Sequence, residues 1–170
     1  MKTRKLALCA LLTALALALS YAESFLPLTL LIPVPGVKLG LPNLVTLAAL
    51  YLLGLPYAGV ISFARCFLGA FYASGPVSLW FSLCGAALSL LVMWGLKARC
   101  TKRVSLWGVS LAGAAAHNLG QVCAASLILR TTAIFTYLPV MLLASLVTGS
   151  VIAAIAAPVI ALLDKLSVLR

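Results

Sequence analysis

Acidic residues are nearly missing. Glu23 and Asp164 are the only two, against 12 lysines and arginines in 170 residues. Two lone carboxylates far apart in the chain exclude paired-carboxylate acid/base chemistry and a carboxylate cage for magnesium. Charge of either sign is scarce as well. Charged residues make up 8% of the chain, where a soluble domain carries about 25%. So little charge does not cover a water-facing surface, which implies an integral membrane protein. Cysteines occur at 9, 66, 84, 100 and 123 with no C-x-x-C pair, so they read as small apolar packing residues. Walker A, G-x-S-x-G and H-E-x-x-H patterns are absent. Neither an enzyme nor an ATP-driven motor is expected, and no cofactor or metal.

Apolar residues, by contrast, make up 65% of the chain. A spanning helix needs about 20 of them in a row, with roughly 17 to 25 tolerated. Cutting at charges, prolines and Gly-Pro pairs predicts six spans, at about 6–22, 41–55, 57–74, 76–96, 105–129 and 133–163. Pro158 is placed to kink the last span or to end its buried part. The expected architecture is therefore all-α: a single membrane domain over 1–170, built as a six-transmembrane-helix bundle. With six spans, Lys2, Arg4, Lys5, Lys97, Arg99, Lys102, Arg103, Lys165 and Arg170 all fall on one side. The positive-inside rule makes that side cytoplasmic, so both termini are inside. The net charge of +10 thus reflects topology and not nucleic-acid binding. A bacterial cytoplasmic membrane is the expected location. The first run, ending in Ser20-Tyr21-Ala22, is also compatible with a cleaved secretory signal, which would leave five spans.

A few polar groups interrupt these runs. Arg65 lies roughly 13 Å and His117 roughly 18 Å along their helices from the basic side, counted at about 1.5 Å per residue. An arginine at such depth costs about 2.5–3.5 kcal/mol on insertion scales. No carboxylate offsets it unless Glu23 folds inward, so a bound anionic or polar ligand is the expected partner. Ser62, Arg65, Gly69 and Tyr72 share one helix face, and His117 and Gln121 another, with Asn118 adjacent. Ser78, Ser82, Gly85 and Ser89 form a third stripe, read as ordinary packing of small residues. An ion-driven carrier holds an acidic residue in mid-membrane, and none is placed there.

The stretch before the second span, "LPLTLLIPVPGVKLGLPN" (26–43), is too rich in proline and glycine for a long helix and too apolar for a plain loop, and gives a capping loop over 23–40. It is expected to cap the outer mouth of the bundle, carrying Lys38 and leading into Asn43. Irregular backbone is tolerated at that depth where it lines a cavity. On the first span Ala10, Ala14 and Ala18 form an A-x-x-x-A-x-x-x-A line. Such a line admits close approach of another helix, from this chain or from a partner.

The run "PGVKLGLPNLVTLAALYLLG" (35–54), then Arg65, "SLCGAALS" (82–89) and "GVSLAGAAAHNLGQ" (108–121), resembles the membrane family called Gx transporter. That family is also catalogued as heptaprenyl diphosphate synthase component I. The architecture is similar to the substrate-binding S-components of energy-coupling factor (ECF) transporters. In those, the first helix carries an A-x-x-x-A line against a coupling membrane protein that works with separate ATPases. The resemblance implies a subunit that captures a small anionic or polar solute, such as a vitamin or a phosphorylated precursor. Lys38, Asn43, Arg65, His117, Asn118 and Gln121 are the expected ligand contacts, joined by Tyr72 and Glu23, with Ala10, Ala14 and Ala18 facing the partner helix. The other implied role is a membrane accessory subunit in prenyl diphosphate or quinone synthesis. The aspartate-rich motifs of that chemistry are absent from this chain.

Overall fold

The computed structural model describes residues 2–25, 38–71, 76–100 and 103–165. Among them are helices α1 (Lys2–Ser24), α2 (Asn43–Leu52), α3 (Leu55–Gly69), α4 (Pro76–Cys100), α5 (Leu106–Leu129) and α6 (Leu138–Lys165). A short 3-10 turn, Ala133–Tyr137, leads into α6. No strand occurs among the described residues.

Local chemistry explains the ends of these helices. Alanine and leucine, the strongest apolar helix formers, dominate α1. Gly54, at φ +90°, divides α2 from α3, and Pro56 sits in the first turn of α3, where its missing N–H costs nothing. The result is two helices of 10 and 15 residues, shorter than the expected 41–55 and 57–74. At about 1.5 Å per residue neither alone crosses a hydrocarbon core of about 30 Å. Ser105 caps α5, its hydroxyl accepting the Gly108 N–H at 3.4 Å. Arg130 closes the same helix in the left-handed conformation at φ 51°. Helix α6 runs on through Pro158.

Among the described residues, four helices are long and apolar enough to cross a membrane: Thr3–Ser24, Pro76–Cys100, Leu106–Leu129 and the run Ala133–Leu163. Their outward faces carry Leu6, Leu11, Leu127, Leu143 and Val147, all more than half exposed. Contiguous apolar surface of this extent marks contact with lipid. The molecule is a multi-pass, all-helical membrane protein.

Helix α5 packs between α4 and α6. Small residues make this possible. A Cβ at Gly120 would lie 2.7 Å from the Cys84 carbonyl oxygen, and one at Gly85 would lie 2.9 Å from the His117 carbonyl oxygen. Any larger residue at either position would force the two backbones apart. Ser110 donates to the Gly149 carbonyl at 2.7 Å, fastening α5 to α6.

The core has two apolar clusters. One gathers Val45, Leu47 and Leu50 of α2 with Ile61, Met93, Val109 and Ile152. The other gathers Phe81, Val122, Ile134 and Met141. At the far end of α2, Lys97 of α4 donates to the Leu50 carbonyl at 2.8 Å and lies 4.7 Å from the Tyr51 ring centroid. It satisfies a helix-end carbonyl that would otherwise be orphaned. Thr46 and Ser62 join α2 to α3 through a buried hydroxyl pair at 2.9 Å.

Candidate functional site

The polar residues collect where α1 ends and α2 begins. Segment 38–40 lies across this end of the bundle, held by two hydrogen bonds. The Gly40 N–H donates to Glu23 Oε1 at 2.6 Å, and the Lys38 N–H donates to Gln121 Oε1 at 3.1 Å. Glu23 is 1% exposed, so the chain's one acidic residue near this end does fold inward. Gly40 adopts φ +88°, a conformation that disfavours side chains, and a Cβ there would lie 2.9 Å from His117 Cδ2. Gly40 thus rests on the imidazole face. Its carbonyl accepts the Asn43 N–H at 2.8 Å and starts α2.

Gln121 Nε2 and His117 Nε2 are 3.0 Å apart. Because Gln121 Oε1 already accepts from Lys38, its amide nitrogen is the donor in this pair. His117 Nε2 is then the acceptor, and the neutral ring carries its proton on Nδ1. One residue along, the face changes. Asn118 turns to α6 and donates to the Met141 carbonyl at 2.7 Å. His117 and Gln121 meet the loop, while Asn118 fastens two helices.

Arg65 occupies the neighbouring space. Together with Ser20, Lys38, Ser78 and Ser82 it lines a cleft too narrow for a free water molecule. Arg65 is 2% exposed, yet its Nε and Nη2 have no hydrogen-bond acceptor. Both polar atoms of the Asn43 amide and Glu23 Oε2 are likewise buried without partners. Lys38, Glu23 and Arg65 lie within electrostatic reach of one another. Burial pushes the Lys38 ammonium below the ordinary lysine range, against the pull of the Glu23 carboxylate, while Arg65 pushes it further down.

The structure therefore brings Lys38, Arg65 and Glu23 together, and sets Asn43, His117 and Gln121 around Gly40 beside them. Asn118 lies on the face toward α6, and Tyr72 falls outside the described residues. Ala10, Ala14 and Ala18 are all exposed on α1, opposite buried Cys9, Ala16 and Ser20. The serines at 20, 78 and 82 are the cleft residues that pattern reading missed. Two of them sat in a stripe of small residues that reads as packing, and their joint spacing was the available signal. His, Cys, Asp and Glu form no metal-binding group among the described residues.

Fold and site together define a multi-pass membrane protein with a buried cationic cleft. Residues 12–159 match the model of the family described as heptaprenyl diphosphate synthase component I. The chain belongs to that family. Neither the curated proteins nor the solved structures compared with it contain a match.

Proposed function

We propose that this chain is the substrate-binding subunit of a multi-component uptake system in a bacterial cytoplasmic membrane. It captures a small anionic or polar solute and does not catalyse a reaction itself. In this reading the chain spans six times with both termini in the cytoplasm, α2 crossing with part of the preceding loop. The observation that carries it is Arg65: a guanidinium 2% exposed, with two donors unpartnered, in a cleft beneath a pinned loop. Leaving buried polar donors unpaired is costly, about 1–3 kcal/mol each and more for charged groups, so a ligand that pairs them gains that energy. Entry requires segment 38–40 to release its bonds to Glu23 and Gln121. A coupling membrane protein and separate ATPases supply the energy, and the exposed Ala10, Ala14 and Ala18 line on α1 suits a partner helix.

A second reading rests on the family's description. An accessory subunit in prenyl diphosphate synthesis would use the same two cations on a diphosphate head group. The two readings part at their protein partners. Purification of the full chain from its native membranes in mild detergent, followed by mass spectrometry, is expected to recover ATPases and a membrane coupling protein. Recovery of a soluble, aspartate-rich synthase in their place overturns the transport reading.

A further inference from the structure

The unpartnered atoms of Arg65 are a matched set. Nε and Nη2 form one edge of the guanidinium, and their N–H bonds run parallel. That edge suits two oxygens of one planar group. Both atoms are buried and lack an acceptor, whereas a guanidinium used only to fasten helices spreads its donors over backbone carbonyls.

The surrounding charge limits what those oxygens belong to. Arg65 and Lys38 contribute two positive charges and Glu23 one negative, which leaves one in excess. The first turn of α4, which places Ser78 at the cleft, adds roughly half a unit of the same sign. A single carboxylate leaves the site about half a unit positive. A diphosphate carrying three negative charges would leave it about one and a half units negative, beside the buried Glu23 carboxylate. The remaining polar lining consists of the hydroxyls of Ser20, Ser78 and Ser82, which serve as well for a solute's neutral polar groups. No second guanidinium lines the cleft to hold further phosphate oxygens.

Resting on the capture reading, we infer that the cleft recognises a small solute through one carboxylate group, seated side-on against the Nε–Nη2 edge of Arg65, and that Glu23 selects against a diphosphate. Lys38 neutralises the same group from the loop side; with segment 38–40 in place the cleft has no room for a free molecule, so that segment shifts when the group enters.

The test uses the full chain in lipid nanodiscs and four probes: benzoate, its neutral isostere benzamide, inorganic phosphate and inorganic diphosphate. Benzoate is expected to raise the melting temperature by about 3 °C near ten times its dissociation constant, and benzamide not at all. In R65K, which keeps the charge but loses the fork, benzoate affinity is expected to fall at least about tenfold. In E23Q the preference is expected to move toward diphosphate. Should E23Q fail to fold, R65K and the probe panel in the unmodified protein decide. Equal protection by benzamide, or none by benzoate, overturns the carboxylate assignment and leaves the partner experiment untouched. Stronger protection by diphosphate than by benzoate overturns it too, and favours the prenyl diphosphate reading.

Discussion

The two ends of α2 sit in opposite kinds of surroundings. At its C-terminal end Lys97 satisfies the Leu50 carbonyl, and the neighbouring core of Leu47, Leu50, Ile61 and Met93 is nearly free of solvent. At its N-terminal end Asn43 has both amide atoms buried without partners, and so, at this end of the bundle, are Arg65 Nε and Nη2 and Glu23 Oε2. Native proteins rarely leave such groups unpaired, and clusters of them call for a specific explanation. The satisfied end maintains the fold. On the proposed capture reading, the unsatisfied end stores binding energy that a ligand releases, at a cost in stability.

That contrast predicts different answers to substitution. Leu47→Ala should have the largest effect on stability, about 2–4 kcal/mol, because it opens a cavity in a fully buried position. Thermal unfolding in nanodiscs will measure the loss, and benzoate affinity of the protein that remains folded should not change. Gly40→Ala comes next. It forces a side chain into the φ +88° conformation and against His117, at about 1–3 kcal/mol of local strain. Hydrogen exchange at residues 38–42 should rise at least about tenfold while exchange along α4 and α5 stays as it was. If exchange rises everywhere, segment 38–40 is part of the core and not a separable cap. The smallest effect belongs to Ala14→Leu. This residue is exposed on α1, so stability should move by less than about 0.5 kcal/mol, while recovery of the coupling partner falls sharply. Undiminished recovery would remove the alanine line from the partner surface.

Much of the fold is legible in one dimension because lipid imposes a simple rule. Long apolar runs become α1, α4, α5 and α6, and the ends of α5 follow from a serine cap and the residues after Leu129. The shortness of α2 and α3 was harder to see. It depends on Gly54 taking φ +90°, and glycine alone does not announce its conformation. The site was legible in part. Arg65 drew attention through depth and cost, and Lys38 through the proline-rich stretch around it. Which neighbour each side chain meets was not legible. Gln121 and Asn118 are polar residues on one helix, yet one accepts from the loop and the other donates to α6. The bond from Gly40 to Glu23 joins two elements across the intervening loop, and no periodicity encodes it.

The most direct measurement compares Arg65→Met with the unmodified chain for both melting temperature and benzoate affinity. A guanidinium kept unpaired for a ligand costs stability in the free protein, and a well-packed apolar replacement relieves that cost. The variant should therefore melt at the same temperature or higher and lose detectable binding. A variant that melts several degrees lower while still binding benzoate would show that Arg65 is a structural element of the bundle, and would contradict the account.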